Sequence, residues 1–315
     1  MPSIPMAGDK IACPTEHGVI LRVRPLQFEF RAVDPVWFPP GKAANIFRGA
    51  FGEIFRRIAC APDCHEAKSC ARASDCAYAR MFEPRAADGH TGPSGFGDRP
   101  RPFVLRAAAL NGRRFEPGER FTLDINVFDP EVPALDYFRL AFEQLCVDGL
   151  GPGRPRAELV SAGELAAVEC SLAAPNRPVD RILVTFLTPT ELKMGGKTLR
   201  EPLFDALFRR ARDRVTGLVS LYQASASPNE VDFRGMGERA AAVRMVSAQV
   251  VETDYERRSG RTGQRHGLGG FTGEAEYEGD LAEFLPYLEA AWWTGVGRLT
   301  VWGNGMVRTV VHQGV

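Results

Sequence analysis

The stretch TGVGRLTVWGNG, residues 294–305, sets four glycines in two Gly-x-Gly pairs with five residues between the pairs. It follows a helix-like segment and precedes a short apolar run, MVRTVV at 306–311. That position excludes a dinucleotide loop, whose glycines follow a strand and open a helix. A Walker loop is excluded too, because the stretch contains no Gly-Lys-Ser/Thr. What remains is a glycine-flanked loop whose backbone can approach a phosphodiester chain closely, with Arg298 inside it as a phosphate or base partner.

Working outward, the residues before the loop spell a helix. Leu281, Phe284, Leu285, Leu288, Ala291 and Trp292 form its apolar stripe, Asp280 stands at the cap, and Glu283 is placed for a capping box. Two strands precede it, near 241–253 and 268–277; in the second, Phe271, Gly273, Ala275 and Tyr277 alternate with Thr272, Glu274 and Glu276. Further upstream, EPLFDALFRRARDRVTGLVSLY (201–222) keeps helical spacing, with Pro202 in its first turn, and RILVTFL (181–187) reads as a buried strand. The order is βαββαβ, a ferredoxin-like unit.

The N-terminal half permits the same reading. VILRVRPLQFEF (19–30) is extended, with Pro25 marking a break or bulge. AANIFRGAFGEIFRRI (43–58) is helical, strands fall at 103–109 and 120–128, and a second helix lies near 133–147. A strand near 157–161 or 165–172 closes the unit. The expected fold is therefore α+β: two tandem ferredoxin-like domains, residues 1–175 with a cysteine-bearing insertion at 60–100, and residues 176–315 with the glycine-rich loop.

Composition is that of a soluble globular chain, with 44% apolar and 25% charged residues. No apolar run approaches the ~20 residues of a membrane span, and the N-terminus lacks the order of a signal peptide, so a cytoplasmic location is expected. Thirty-nine basic and thirty-nine acidic residues cancel. Net charge thus says nothing about nucleic acid, although Arg far outnumbers Lys, as a phosphate-binding surface or a GC-rich genome would both produce.

Two further groups can carry chemistry. Cys60, Cys64, Cys70 and Cys76 lie within seventeen residues, with three, five and five residues between them. They are a candidate structural zinc set, although the spacing is not that of a CxxC knuckle, and free thiols are the alternative. Cys146 and Cys170 fall on apolar faces and read as core, and Cys13 is isolated. Trp292, Trp293 and Trp302 flank the loop; Trp292 continues the helix stripe, which leaves Trp293 or Trp302 to stack on a base.

GVGRLTVWGNG fits Gly-x-Gly-x5-Gly-x-Gly and resembles the C-terminal glycine-rich loop of the RAMP superfamily of CRISPR-associated proteins. RHGLGGFTGEAEYEGDLAEFLPYLEAAWW, before it, resembles the segment leading into that loop in the CRISPR repeat-processing endoribonucleases. FRGAFGEIFRRIACAPDC and the cysteines that follow are similar to the arginine-glycine helix and cysteine-bearing stretch of the same group.

The resemblance implies two ferredoxin-like domains, binding of CRISPR repeat RNA, and metal-independent cleavage with no catalytic cofactor. In that reaction the 2′-hydroxyl attacks the adjacent phosphate and leaves a 2′,3′-cyclic phosphate. It needs a base, a cation for the developing charge and an acid for the leaving oxygen. The family usually places a His at or before the first helix, and helix 43–58 has none. The candidates are then Lys42 at its start, Arg48 on its first turn, His17 before the first strand, and His266 in the Arg-rich segment RTGQRHG. Arg261 and Arg265 of that segment, with Gly295, Gly297, Arg298, Gly303, Gly305 and Trp302, are the candidate RNA contacts. A second reading is a non-catalytic RAMP subunit that holds guide RNA among other CRISPR effector subunits. The missing His favours it, whereas two terminal ferredoxin-like domains without an inserted thumb or an acidic nuclease cluster favour the enzyme.

Overall fold

The computed structural model describes residues 19–61, 64, 70–84, 99–151, 153–223, 231–253, 256–258, 265–267 and 269–312. In the N-terminal half these form β1 (Ile20–Ala32), β2 (Val36–Phe38), α1 (Ala43–Ala59), α2 (Ala77–Phe82), β3 (Phe103–Arg106), β4 (Arg113–Phe115), β5 (Arg120–Val127), α3 (Ala134–Asp148), β6 (Ala157–Glu164) and β7 (Val168–Ser171). The C-terminal half follows with β8 (Arg181–Thr190), β9 (Lys193–Met194), β10 (Lys197–Thr198), α4 (Phe204–Tyr222), α5 (Phe233–Ala240), β11 (Arg244–Thr253), β12 (Glu256–Arg258), β13 (Arg265–Gly267), β14 (Gly270–Glu278), α6 (Leu285–Thr294) and β15 (Val307–Val311).

The two main sheets share one topology. The first has the order β3-β5-β1-β6 and the second β11-β14-β8-β15, every pairing antiparallel. With α1 and α3 in the first unit and α4 and α6 in the second, each is the expected βαββαβ unit. Both candidates for the closing strand of the first unit exist, because β6 pairs with the second half of β1 and β7 with Ile20–Val23. Pro25 sits where β1 passes from one partner to the other, a place where a missing N–H costs no ladder bond.

β1 serves two cores with its opposite faces. Leu26, Phe28, Phe30 and Ala32 point into a Phe-rich core under α1 and α3, in which Phe30 stacks on Phe121 at 5.3 Å and Phe51 on Phe142 at 4.8 Å. Leu21 and Val23, one residue out of phase, join the core of the C-terminal unit together with Val104 and Phe128. Each fully buried ring contributes about 2–3 kcal/mol by area and ring pairs add ~1 kcal/mol, so these faces hold both halves together.

Three local expectations change. Helix α6 starts at Leu285, behind a turn, with Phe284 at its N-cap and no side-chain cap; Asp280 therefore does not cap it. Glu283 forms no capping box, since its carboxylate is held by Arg239 at 2.6 and 2.7 Å. Likewise α4 begins at Phe204 with Leu203 as its N-cap, which leaves Pro202 just outside. Cys146 is buried in the first core and Cys170 packs against the second. Cys13 lies outside the described residues. No helix among the described residues is long and apolar enough to cross a membrane.

Candidate nucleic-acid interface

Helix α6 ends at Thr294, and all four glycines after it take left-handed φ, +68° at Gly295, +79° at Gly297, +77° at Gly303 and +72° at Gly305. Gly305 shows why: a Cβ there would stand 1.9 Å from the carbonyl oxygen of Val296, whose own N–H donates to Gly305 O at 2.8 Å. Several of the loop's amides are used within the protein. Gly305 N donates to Pro189 O, Arg298 N to Glu191 O and Gly303 N to Thr300 O. These three amides are thus committed within the protein. Leu299, left-handed at φ +62° without being glycine, adds backbone strain of the kind that surrounding contacts must hold.

The loop is also the point where the two domains meet. Its 3-10 turn, Thr300–Trp302, places Val301 inside the N-terminal core and packs Trp302 against it. The Arg48 guanidinium lies between two rings, 4.6 Å from the centroid of Phe82 and 4.9 Å from that of Trp302. Gly52, one turn along α1, makes this possible: a Cβ there would meet the Arg48 guanidinium at 2.5 Å and the Phe82 ring at 3.4 Å. Gly303 meets the start of the same helix, since its absent Cβ would lie 3.0 Å from Ala44 Cβ. Trp302 accordingly spends one face on Arg48.

Lys42 is the N-cap residue of α1, and its backbone N–H donates to Pro39 O at 3.0 Å. The next amide, Ala43 N, is capped by Asn111 Oδ1 at 3.1 Å, while Asn45 Oδ1 on the same turn is buried and accepts no hydrogen bond. Neither Asn stood out in the sequence, because an isolated Asn has no periodic signature. With no acidic residue in the first turn, the helix dipole and Lys42 make this end electropositive.

Other contacts fix the two units from both sides of the loop. Arg106 lies 4.5 Å from the centroid of the Trp292 ring and donates to Trp292 O, and Asn126 Nδ2 donates to Trp293 O at 2.9 Å. Burial pushes the Arg106 guanidinium down to about 10, with Asp124 opposing. Trp292 is thus a half-buried docking surface outside both cores, and Trp293, the expected stacking candidate, instead packs against the second core. Gln223, itself buried, accepts from Arg22 N at 2.8 Å and donates to Arg22 O at 2.6 Å and Phe128 O at 2.9 Å.

Arg298 is 55% exposed and holds Glu191 Oε1 at 2.9 Å. His266 falls on β13, paired in register with Arg257 of β12, so Arg265 and His266 occupy a two-stranded ribbon between β11 and β14; their side chains lie outside the described part. His17 and Arg261 lie outside the described residues altogether.

Cys60 caps the C-terminus of α1 and Cys76 the N-terminus of α2. Burial, together with the neighbouring thiols of Cys76 and Cys64, pushes the Cys60 thiol up to about 12. Cys64 is raised as well, by burial and by its contact with Cys70. The four thiols therefore neighbour one another, Cys60 with Cys76 and Cys64, and Cys64 with Cys70 and Cys76. As they stand, no group of three or more His, Cys, Asp or Glu among the described residues is arranged to hold a metal ion.

Comparison with known proteins agrees with this architecture. Residues 184–307 match the model of the CRISPR-associated endoribonuclease Cas6, and residues 21–173 match the AF_1859_N model, an N-terminal domain. No protein of curated function gives a match. Among solved structures, the product complex of Cas6 (TTHB231), a Thermus thermophilus protein, superposes with a TM-score of 0.53 at 18% identity, covering 91% of this chain and 100% of that one. The Cas6 (TTHA0078) product complex gives 0.50 at 15%, covering 92% and 99%. A partial Cas6-RT-Cas1–Cas2 complex gives 0.53 at 10%, covering 92% of this chain and 46% of that one. At such identities the superpositions establish the fold alone. The chain is built of two ferredoxin-like domains, and residues 184–307, within the second, match the family of the CRISPR-associated endoribonuclease Cas6.

Proposed function

We propose that this chain binds CRISPR repeat RNA and cuts it without a metal, the 2′-hydroxyl attacking the adjacent phosphate to leave a 2′,3′-cyclic phosphate. The observation that carries the reading is the docking of the glycine-rich loop on the first turn of α1, where Gly303 abuts Ala44 and Trp302 covers Arg48. RNA held by the loop would be brought to the helix end that carries Lys42. In this reading Lys42 and the helix N-terminus stabilise the charge that develops on the phosphorane, a stabilisation supplied by preorganised cations and dipoles. Arg298 binds a flanking phosphate, and Arg48 positions the loop through its ring stacking. His17 and His266 are the candidates for the proton transfers, with Arg261 and Arg265 as further RNA contacts.

Solved relatives include Cas6 product complexes and a Cas6-RT-Cas1–Cas2 assembly, which supports repeat RNA and other CRISPR proteins as partners. The neighbouring thiols of Cys60, Cys64, Cys70 and Cys76 remain our candidate for a structural zinc site, reached by drawing the four onto one point. A second reading, a guide-RNA-binding subunit without cleavage, is favoured by one observation: Arg48, a catalytic candidate, is already held between Phe82 and Trp302.

Incubation of purified protein with labelled cognate repeat RNA in EDTA separates the two. Specific cleavage ending in a cyclic phosphate is expected. Tight binding of intact RNA would overturn the enzyme reading in favour of the subunit.

A further inference from the structure

Beside the glycine-rich loop lies a cavity of about 380 Å³ that residues of both domains line. Six cations reach it: Arg99 and Arg101 ahead of β3, Lys193 on β9, Arg210 and Arg214 on α4, and Arg298 of the loop. Among the described residues two acids line it, Glu191 and Asp213. Both are already engaged. Glu191 holds Arg298 at 2.9 Å and faces Lys193 at 3.6 Å, whereas Asp213 is buried against Arg212 at 2.8 Å.

The remaining four, Arg99, Arg101, Arg210 and Arg214, have no carboxylate partner among the described residues. Three of them are steered by backbone carbonyls, which orient a guanidinium without neutralising it. Arg101 Nε donates to Phe82 O at 2.7 Å, Arg210 Nη2 to Lys193 O at 3.0 Å and Arg214 Nε to Thr294 O at 2.6 Å. Arg214 Nη2 is sealed from solvent with no hydrogen-bond partner among the described residues. Desolvation pushes the Arg214 guanidinium down to about 10, and the nearby charge of Arg101 pushes the same way. A buried, unpaired N–H on a charged group is destabilising, so an unfilled arrangement of this kind is costly.

We propose that this cavity is a phosphate subsite, and that it takes one phosphodiester of the bound RNA beside the glycine-rich loop, whose Trp302 both lines the cavity and covers Arg48 of α1. A phosphodiester supplies what the site lacks: one negative charge and acceptor oxygens that match planar guanidinium forks. Thr294 and Arg298 bracket the loop that Arg214 and Glu191 hold, so the anion and the loop report to each other through shared neighbours. The proposal rests on the RNA-binding reading above and names a contact of that same ligand.

The test uses the full-length chain. Anisotropy titrations of labelled repeat RNA over a series of KCl concentrations compare the wild type with Arg214→Ala and Arg101→Ala, and with Arg234→Ala as an exposed control on α5. Affinity is expected to fall roughly tenfold or more in the first two, since a charge-assisted contact is lost. The salt slope should fall by about 0.7 per lost contact with a single strand, and the control should match the wild type.

Arg101→Ala keeps the experiment decisive should Arg214→Ala fold poorly, with circular dichroism melts checking both. A single methylphosphonate linkage that weakens wild-type binding should be silent in the Arg101 variant. Inorganic phosphate tests the alternative source of the same chemistry: competition by phosphate alone, with RNA affinity unchanged in both variants, would overturn the assignment to RNA. Unchanged affinity and slope without such competition would overturn the subsite altogether. Failure of the wild type to bind repeat RNA would instead overturn the function, a distinct result.

Discussion

The stacking of Arg48 between Phe82 and Trp302 separates two roles for that residue, and a double-mutant cycle distinguishes them. If Arg48 is a clamp between α1 and the glycine-rich loop, Arg48→Ala and Trp302→Ala remove the same interaction. Each should destabilise the protein, and the pair should cost less than the sum of the two. The magnitude follows from geometry. A guanidinium 4.9 Å from the Trp302 centroid is within cation–π range, worth ~1 kcal/mol at a half-buried site and toward 2 kcal/mol when desolvated. Trp302 further loses part of its packing on the N-terminal core, so Trp302→Ala alone should cost about 2–3 kcal/mol, below the full-burial range for a large-to-small change. A coupling of about 1 kcal/mol is therefore expected from urea midpoints of the four proteins. Arg48→Lys should rescue little, because an ammonium keeps the charge and loses the planar face. Cleavage by Arg48→Ala should fall along with loop docking, and RNA affinity should fall with it. A coupling near zero, with full stability and affinity but no cleavage in Arg48→Ala, would refute the clamp and restore Arg48 as a catalytic group.

Four further outcomes follow from the same structure. Gly305→Ala should cost at least ~1–2 kcal/mol from its left-handed φ, and more from the approach to Val296 O, whereas Gly163→Ala, with open space around it, should be neutral in the same urea titration. Gln223→Leu removes the partner of Phe128 O between the domains and should cost on the order of 1–3 kcal/mol, with the second domain melting earlier by calorimetry. Desolvation by its surroundings raises the Glu289 carboxyl above its ordinary value of 4.5, although the residue as a whole stays solvent-exposed on α6, with Arg177 opposing, so the folded state binds its proton more tightly than the unfolded one. Stability should then fall as pH rises out of the carboxylate range, and Glu289→Gln should be more stable than wild type at pH 7 and flatten that dependence; an unchanged profile would refute it. Metal analysis should find zinc in the wild type and less of it in Cys64→Ser/Cys70→Ser, and equal stoichiometry would remove the cysteines from the reading.

What the sequence disclosed and what it withheld divide along a physical line. Periodicity reports local burial, so β1, α1, α4 and β14, whose apolar residues recur every two or three to four positions, were legible down to the doubled βαββαβ order. Spacing and position marked the loop at 294–305 as functional, and left-handed φ at all four glycines gives the reason for its composition. Neither signal carries information about residues that meet across 95 positions or more. Arg106 on Trp292, Asn126 on Trp293 O and Gln223 on Phe128 O join β3, β5 and α4 to distant backbone, and no local pattern distinguishes them from surface polar residues. The same blindness hid the second use of Trp302. As sequence it is an aromatic residue beside an Arg in a nucleic-acid loop, which suggests base stacking; in the fold its partner is an arginine of the other domain. The loop amides show the opposite error: glycine permits close approach of a ligand, but it equally permits close approach of the protein's own carbonyls, and at Gly305 and Gly303 that is what the freedom is used for. The composition of a glycine-rich loop can thus answer to the packing of its own backbone, with Gly303 and Gly305 shaping the turn that sets Trp302 against α1.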